Sequence, residues 1–216
     1  MDLLKSYTYG PASGKPPKQL VVFLHGLGSD GRDLISLAES FAETLPDAVF
    51  VSPNAPFPCD MAPMGHQWFS LQEWTPESIL RGVQEAAPIL DNFLDEQLEK
   101  YGLSDENLVL IGFSQGTMMS LYVGPRRMKQ IAGVIAYSGA LVWEDDVDAD
   151  ALRKPPILLI HGNMDPVVPM AAYYHAEKTL KEAGFDVSGG VSMGLMHGID
   201  PRGIESGKKF LKDVFS

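Results

Sequence analysis

Val109-Leu110-Ile111-Gly112-Phe113-Ser114-Gln115-Gly116-Thr117-Met118-Met119 decides how the rest of this 216-residue chain is read. An apolar run of strand length ends in Gly-Phe-Ser-Gln-Gly and goes on as a helix pattern. Gly112 and Gly116 lack a Cβ, so strand and helix can approach closely on either side of a sharp turn. Ser114 is left at the apex with its hydroxyl above the sheet. The helix start behind it aims unpaired N–H groups at the same place. The five-residue pattern alone falls by chance in roughly one chain of this length in ten, so its meaning rests on its surroundings.

Outward from that turn, apolar runs and helical spacings alternate. Residues 20–24 form a continuous apolar run suited to a strand buried on both faces. Residues 49–51, 131–137, 157–160 and 187–191 read as further strands, and 6–9 as a short edge strand. Asp30 can cap a helix in which Leu34, Leu37, Ala38 and Phe41 recur at helical spacing. Thr75 and Pro76 open a helix that stops at Gly102, with a kink expected at Pro88. Residues 170–183 and 202–214 complete the helices. Alternation of this kind predicts an α/β fold, a mostly parallel central sheet with helices on both faces. The length and the absence of a linker predict one domain over residues 1–216. The exception is 53–74, a long irregular segment rich in Pro, Met and aromatics, and a loop of that length in a compact domain is usually functional.

Composition narrows the class. Net charge is −11 and pI about 4.8, which disfavours nucleic acid and anionic membranes as partners. No run approaches the length of a membrane span, so no stable membrane insertion is expected. Cys59 is the only cysteine, which excludes an internal disulfide and a thiolate metal cluster. The opening stretch Met1 to Ser6 has no apolar core of signal-peptide length, so the cytoplasm is the expected compartment. Residues 144–150 hold five carboxylates and read as a solvated loop, since they lack the glycine and terminal Glu of a calcium loop.

A serine hydroxyl needs a base in reach and an acid to orient that base. Asp165 lies 51 residues after Ser114, just past an apolar strand, and His197 a further 32 residues on, past the last one. That is the order Ser, Asp, His of an α/β-hydrolase, and it puts all three at the C-terminal edge of the sheet. Asp165 precedes Pro166, and Asp-Pro is also a common turn opener. Of the other histidines, His175 falls inside a helix and His161 in the same turn as Asp165. His25-Gly26-Leu27-Gly28 follows the first buried strand, where this fold takes part of its oxyanion hole. The expected donors are the backbone N–H groups of Leu27 and Gln115, and His25 is expected to tie its loop together.

These motifs together resemble the phospholipase/carboxylesterase family, which includes bacterial carboxylesterases and acyl-protein thioesterases. The resemblance rests on residues 24–31, 112–116, 161–169 and 197–198, in the family order over nearly the whole chain. It implies Ser114 as nucleophile, Asp165 as orienting acid, His197 as base, Leu27 and Gln115 as oxyanion donors, and no metal or organic cofactor. Gln67-Trp68-Phe69 is similar to the family's Trp-Phe element, although His66 and Gln67 stand where an Arg commonly precedes it.

The expected activity is hydrolysis of carboxylic esters, with thioesters and lysophospholipids as further substrates. Met64, Trp68 and Phe69 in the 53–74 loop, with Val167, are the candidate walls for a small-molecule acyl ester. Two other readings stand beside it. One is a non-catalytic hydrolase fold that binds a small ligand. The other is a serine peptidase or amidase, for which no cap or propeller domain is present. The oligomeric state is left open, a homodimer through the aromatic loop included.

Overall fold

The computed structural model describes residues 4–216; Met1, Asp2 and Leu3, part of the opening stretch read above for a leader, lie outside the described residues. The elements follow in the order β1 (Ser6–Tyr9), β2 (Gln19–Leu24), α1 (Gly31–Ile35), α2 (Ala38–Ala42), β3 (Ala48–Pro53), β4 (Phe57–Pro58), β5 (His66–Gln67), α3 (Pro76–Tyr101), β6 (Leu108–Phe113), α4 (Gln115–Val123), β7 (Gly133–Tyr137), β8 (Ile157–Gly162), α5 (Met170–Glu182), β9 (Val187–Ser192) and α6 (Pro201–Val214). Seven strands form one sheet in the order β1-β3-β2-β6-β7-β8-β9. Edge strand β1 runs antiparallel to β3, and the other neighbours pair in parallel.

This order locates the site. From β2 the chain steps outward to β3, whereas from β6 it steps the other way to β7. The carboxyl ends of β2 and β6 therefore flank the switch point, where open α/β sheets bind ligands. Ser114 follows β6 and His25 follows β2.

The two-residue period of the strands sorts the core into two faces. Leu20, Val22, Leu24, Leu108 and Leu110 pack with α3, α4 and α5 through Val83, Met119 and Tyr173. Val21, Phe23, Val109 and Ile111 pack with α1, α2 and α6 through Leu34, Phe41 and Phe210. Because both faces are covered, the inner strands are mostly apolar, and each large apolar side chain contributes about 1.5–3 kcal/mol by burial.

Two local features depart from the sequence reading, and one follows it. The single helix expected after Asp30 is two short ones, because the Ser36 hydroxyl donates to Asp33 O (2.6 Å) and Leu37 N–H to Leu34 O (3.0 Å), tightening the chain into a turn. As expected, α3 runs through Pro88 and stops at the left-handed cap at Gly102. The 53–74 segment is not wholly irregular, since β4 and β5 pair in it as a small hairpin.

Away from the site, Arg127 joins the turn after α4 to α3. Its guanidinium bonds Asp91, Asp95 and Asp105, each at 2.7 Å. Burial alone would lower its pKa, but the three carboxylates more than offset this and raise it. Arg127→Ala is expected to destabilise the fold by about 2–3 kcal/mol in urea unfolding, since Asp105 stays buried while Asp91 and Asp95 can rehydrate. A change below about 0.5 kcal/mol would show the hub to be dispensable.

Candidate active site

Ser114 sits between β6 and α4 with φ 54° and ψ −116°, a conformation L-residues rarely adopt. The surroundings hold it there. Ser114 N–H donates to Tyr137 O (3.0 Å), and Thr117 Oγ1 donates to the same carbonyl (2.7 Å). A Cβ on Gly112 would stand 2.5 Å from Gly116 O, and one on Gly116 would collide with Leu24 O. Both glycines are thus required by close backbone approach, as the motif's mechanics anticipate.

Asp165 and His197 are brought together. His197 Nδ1–H donates to Asp165 Oδ2 at 2.7 Å, and the carboxylate's other oxygen accepts from the Val167 and Val168 N–H groups, both at 2.8 Å. Burial alone pushes this carboxyl up. The bonds from His197, Val168 and Val167 outweigh that and hold it below the ordinary carboxylate range, so it is ionised at neutral pH. Their two loops are laced by Asn163 N–H to Ser192 O (3.1 Å), Met164 N–H to Leu195 O (3.0 Å) and Gly194 N–H to Asn163 Oδ1 (2.6 Å). The His197 ring lies 4.9 Å, centroid to centroid, from Phe113, the residue before Ser114.

The loop after β2 lies against the serine: a Cβ on Gly26 would stand 3.1 Å from Ser114 Cβ. Leu27 is the next residue. Gly28 N–H donates to His66 O (2.9 Å) and His66 N–H to Ser29 O (2.8 Å), so the 53–74 segment clamps this loop. His25 is fully buried; its Nδ1–H donates to Gly26 O (2.7 Å) and its Nε2 accepts from Ala55 N–H (2.9 Å). It ties the loop, as expected. Burial lowers its pKa below the ordinary 6.5 and keeps it neutral. The unfolded chain therefore binds the proton first on acidification, and the stability His25 contributes is lost as pH falls from about 6.5 through its lowered value. The melting temperature should drop more steeply between about pH 7.5 and about pH 5 in the native protein than in His25→Gln; parallel curves would contradict this.

Two of the candidate substrate walls are buried. Trp68 is 0% exposed and Phe69 3%. The Trp68 indole N–H donates to His25 O (3.0 Å), and Phe69 packs on α3 where Gly82 leaves room. Their backbone is gripped by the Gln115 side chain, whose Oε1 accepts from Trp68 N–H and whose Nε2 donates to Phe69 O, each at 2.8 Å. Through these contacts both aromatics support the loop. Met64 and Val167 are exposed. The acidic segment is also not wholly solvated. Glu144 accepts from Tyr122 OH (2.6 Å), Gln84 Nε2 (3.0 Å) and Arg126 (2.5 Å). Among the described residues, no helix is long and apolar enough to cross a membrane.

Sequence reading missed the Gln115 side chain, and it missed Asn54, which accepts from Gly31 N–H (2.9 Å) and donates to His66 Nε2 (3.0 Å). A polar residue immediately after the serine was the available signal for Gln115. Nothing local marks Asn54.

A mostly parallel sheet with a strained serine at its switch point and an Asp–His pair at the same edge is the arrangement of an α/β-hydrolase. The chain belongs to the phospholipase/carboxylesterase family, whose sequence profile matches residues 11–215. It is 31% identical over 191 residues to esterase YpfH of Escherichia coli (strain K12), covering 88% of this chain and 81% of that one. It is 28% identical over 209 residues to acyl-protein thioesterase 1 of Gibberella zeae, covering 89% and 88%. The crystal structure of esterase PE8 superposes with a TM-score of 0.93 at 39% identity, covering 99% of this chain and 100% of that one.

Proposed function

We propose that this chain, as one domain over residues 1–216, hydrolyses small acyl esters through an acyl-enzyme on Ser114. The observation that carries the reading is the 2.7 Å bond from His197 Nδ1–H to Asp165 at the same sheet edge as the strained Ser114 turn. With Nδ1 donating, Nε2 is the free acceptor for the Ser114 proton. Ser114 Oγ attacks the acyl carbonyl, and the Leu27 and Gln115 N–H groups receive the oxyanion. His197 then passes its proton to the leaving alcohol. Water repeats the sequence on the acyl-enzyme and releases the acid. Losing one oxyanion donor costs about 3 kcal/mol of transition-state stabilisation. Hydrolysis of thioesters follows from the same steps with a thiol leaving group, and the curated relatives named thioesterases support that extension.

The acyl chain is placed in a largely apolar cavity of about 530 Å³ lined by Trp74, Ile79, Met118, Ala140, Trp143 and Val168. Met118 lies one helical turn after Ser114, and Val168 three residues after Asp165. Each buried CH₂ is worth about 0.8 kcal/mol, so kcat/KM should rise about fourfold per methylene from p-nitrophenyl acetate upward until the cavity is full. Ile79→Trp should narrow the cavity and lower kcat/KM for the hexanoyl ester about tenfold while sparing the acetyl ester. Equal rates on acetyl and hexanoyl esters would show that this cavity does not take the chain.

A further inference from the structure

We propose that Ser138 is a positioning residue for the base loop, holding His197 in register with Ser114 through the Gly198 carbonyl; the inference rests on the hydrolase reading above. Two residues other than glycine have positive φ among the described residues: Ser114 at 54° and Ser138 at 47°. The first is the elbow. The second ends the neighbouring strand, β7, and has no part in the mechanism as so far derived.

Left-handed backbone is unfavourable for serine and free for glycine. Glycine would hold this turn with less strain, which directs attention to what the side chain does. Its hydroxyl donates to Gly198 O at 2.9 Å, and Ser138 itself is 1% exposed. Its N–H donates to Ile160 O (2.9 Å), fixing the turn between β7 and β8.

The residues on either side of Ser138 touch the nucleophile turn. Tyr137 O accepts the Ser114 N–H at 3.0 Å, and a Cβ on Gly139 would stand 2.7 Å from Ser114 O. One strand end thus holds the serine turn through Tyr137 and Gly139 and the histidine loop through Ser138. The Asp165 bond orients the His197 ring, but Asp165 is itself on a loop laced to the 192–196 segment. The Ser138 bond adds a polar tie between the His197 loop, on the far side of His197, and the strand beside β6, next to the 4.9 Å Phe113–His197 ring contact. Without the hydroxyl, Asp165 and His197 keep their mutual bond while drifting together relative to Ser114. A displacement of about 1 Å is enough to cost up to about a hundredfold in rate.

The test uses Ser138→Gly, which removes the hydroxyl and relieves the backbone, and Ser138→Ala, which removes the hydroxyl and keeps the strain. Each is assayed on p-nitrophenyl butyrate with kcat expressed per active site titrated by a fluorophosphonate. The expected result is a fall in kcat of about tenfold to a hundredfold in both, with KM within about twofold of native and Ser138→Gly melting no lower than the native protein. A kcat per titrated site within about twofold of native in both variants would overturn the proposal, including the case in which activity falls only in proportion to folded protein. A native protein that neither hydrolyses the ester nor takes up the probe would overturn the hydrolase reading itself, and this proposal with it.

Discussion

Ser114→Ala should lower kcat on p-nitrophenyl butyrate by about 10⁴-fold or more while the folded structure is kept. The size follows from what is removed. The serine oxygen forms the covalent acyl bond, and no neighbouring hydroxyl stands ready to take its place: Ser138 Oγ is occupied by Gly198 O and Thr117 Oγ1 by Tyr137 O. What survives is the oxyanion site and substrate binding, which sustain only a residual rate. Alanine has the same Cβ as serine, so the turn at φ 54° is no more strained than before. Circular dichroism and the melting curve should therefore match the native protein. Retention of most activity would remove Ser114 from the mechanism.

Asp165→Asn should cost about 10⁴-fold in kcat, for a different reason. Asp165 Oδ1 accepts from Val167 N–H and Val168 N–H, so the new amide is held with its oxygen toward those two donors. Its NH₂ then faces His197 Nδ1, where the carboxylate accepts the Nδ1–H hydrogen bond at 2.7 Å in the native protein. The imidazole must turn Nδ1 into an acceptor and carry its proton on Nε2, which can no longer receive the Ser114 proton. Stability should change its pH dependence as well. The folded Asp165 carboxyl is held below its ordinary value, so the stability it contributes is present above that value and lost as pH falls through the lowered one. The native protein should therefore lose more stability than Asp165→Asn on acidification from about pH 5 downward. An active Asp165→Asn enzyme would mean that His197 is oriented by something else.

Much of this architecture was legible because it is periodic or punctuated. Strands β2 and β6, buried on both faces, read directly as apolar runs. Asp30 and Thr75 accept from the helix starts they were expected to cap, through Asp30 Oδ1 and Thr75 Oγ1. The serine turn was legible from its flanking glycines as a spacing motif; Gly112 answers to Gly116 close by, whereas Gly116 makes room for Leu24 O on the neighbouring strand, β2. What stayed hidden depends on partners far apart in sequence. Trp68 looked like a pocket wall, since an aromatic in a long loop has no way of announcing that it will donate to a carbonyl 43 residues earlier. Glu144 looked solvated because Tyr122, Gln84 and Arg126 converge on it only once α3 and α4 have packed together. Ser138 carried no signal at all, because its left-handed backbone is imposed by the sheet edge it terminates.

The most direct test of Ser114 as the nucleophile is covalent trapping. The native protein is incubated with a small fluorophosphonate, and the adduct is counted by intact mass and located by peptide mapping. One adduct per chain is expected, on the peptide that contains Ser114, forming far more slowly in Asp165→Asn. A protein that hydrolyses esters yet takes no adduct, or takes it on another residue, would contradict the account.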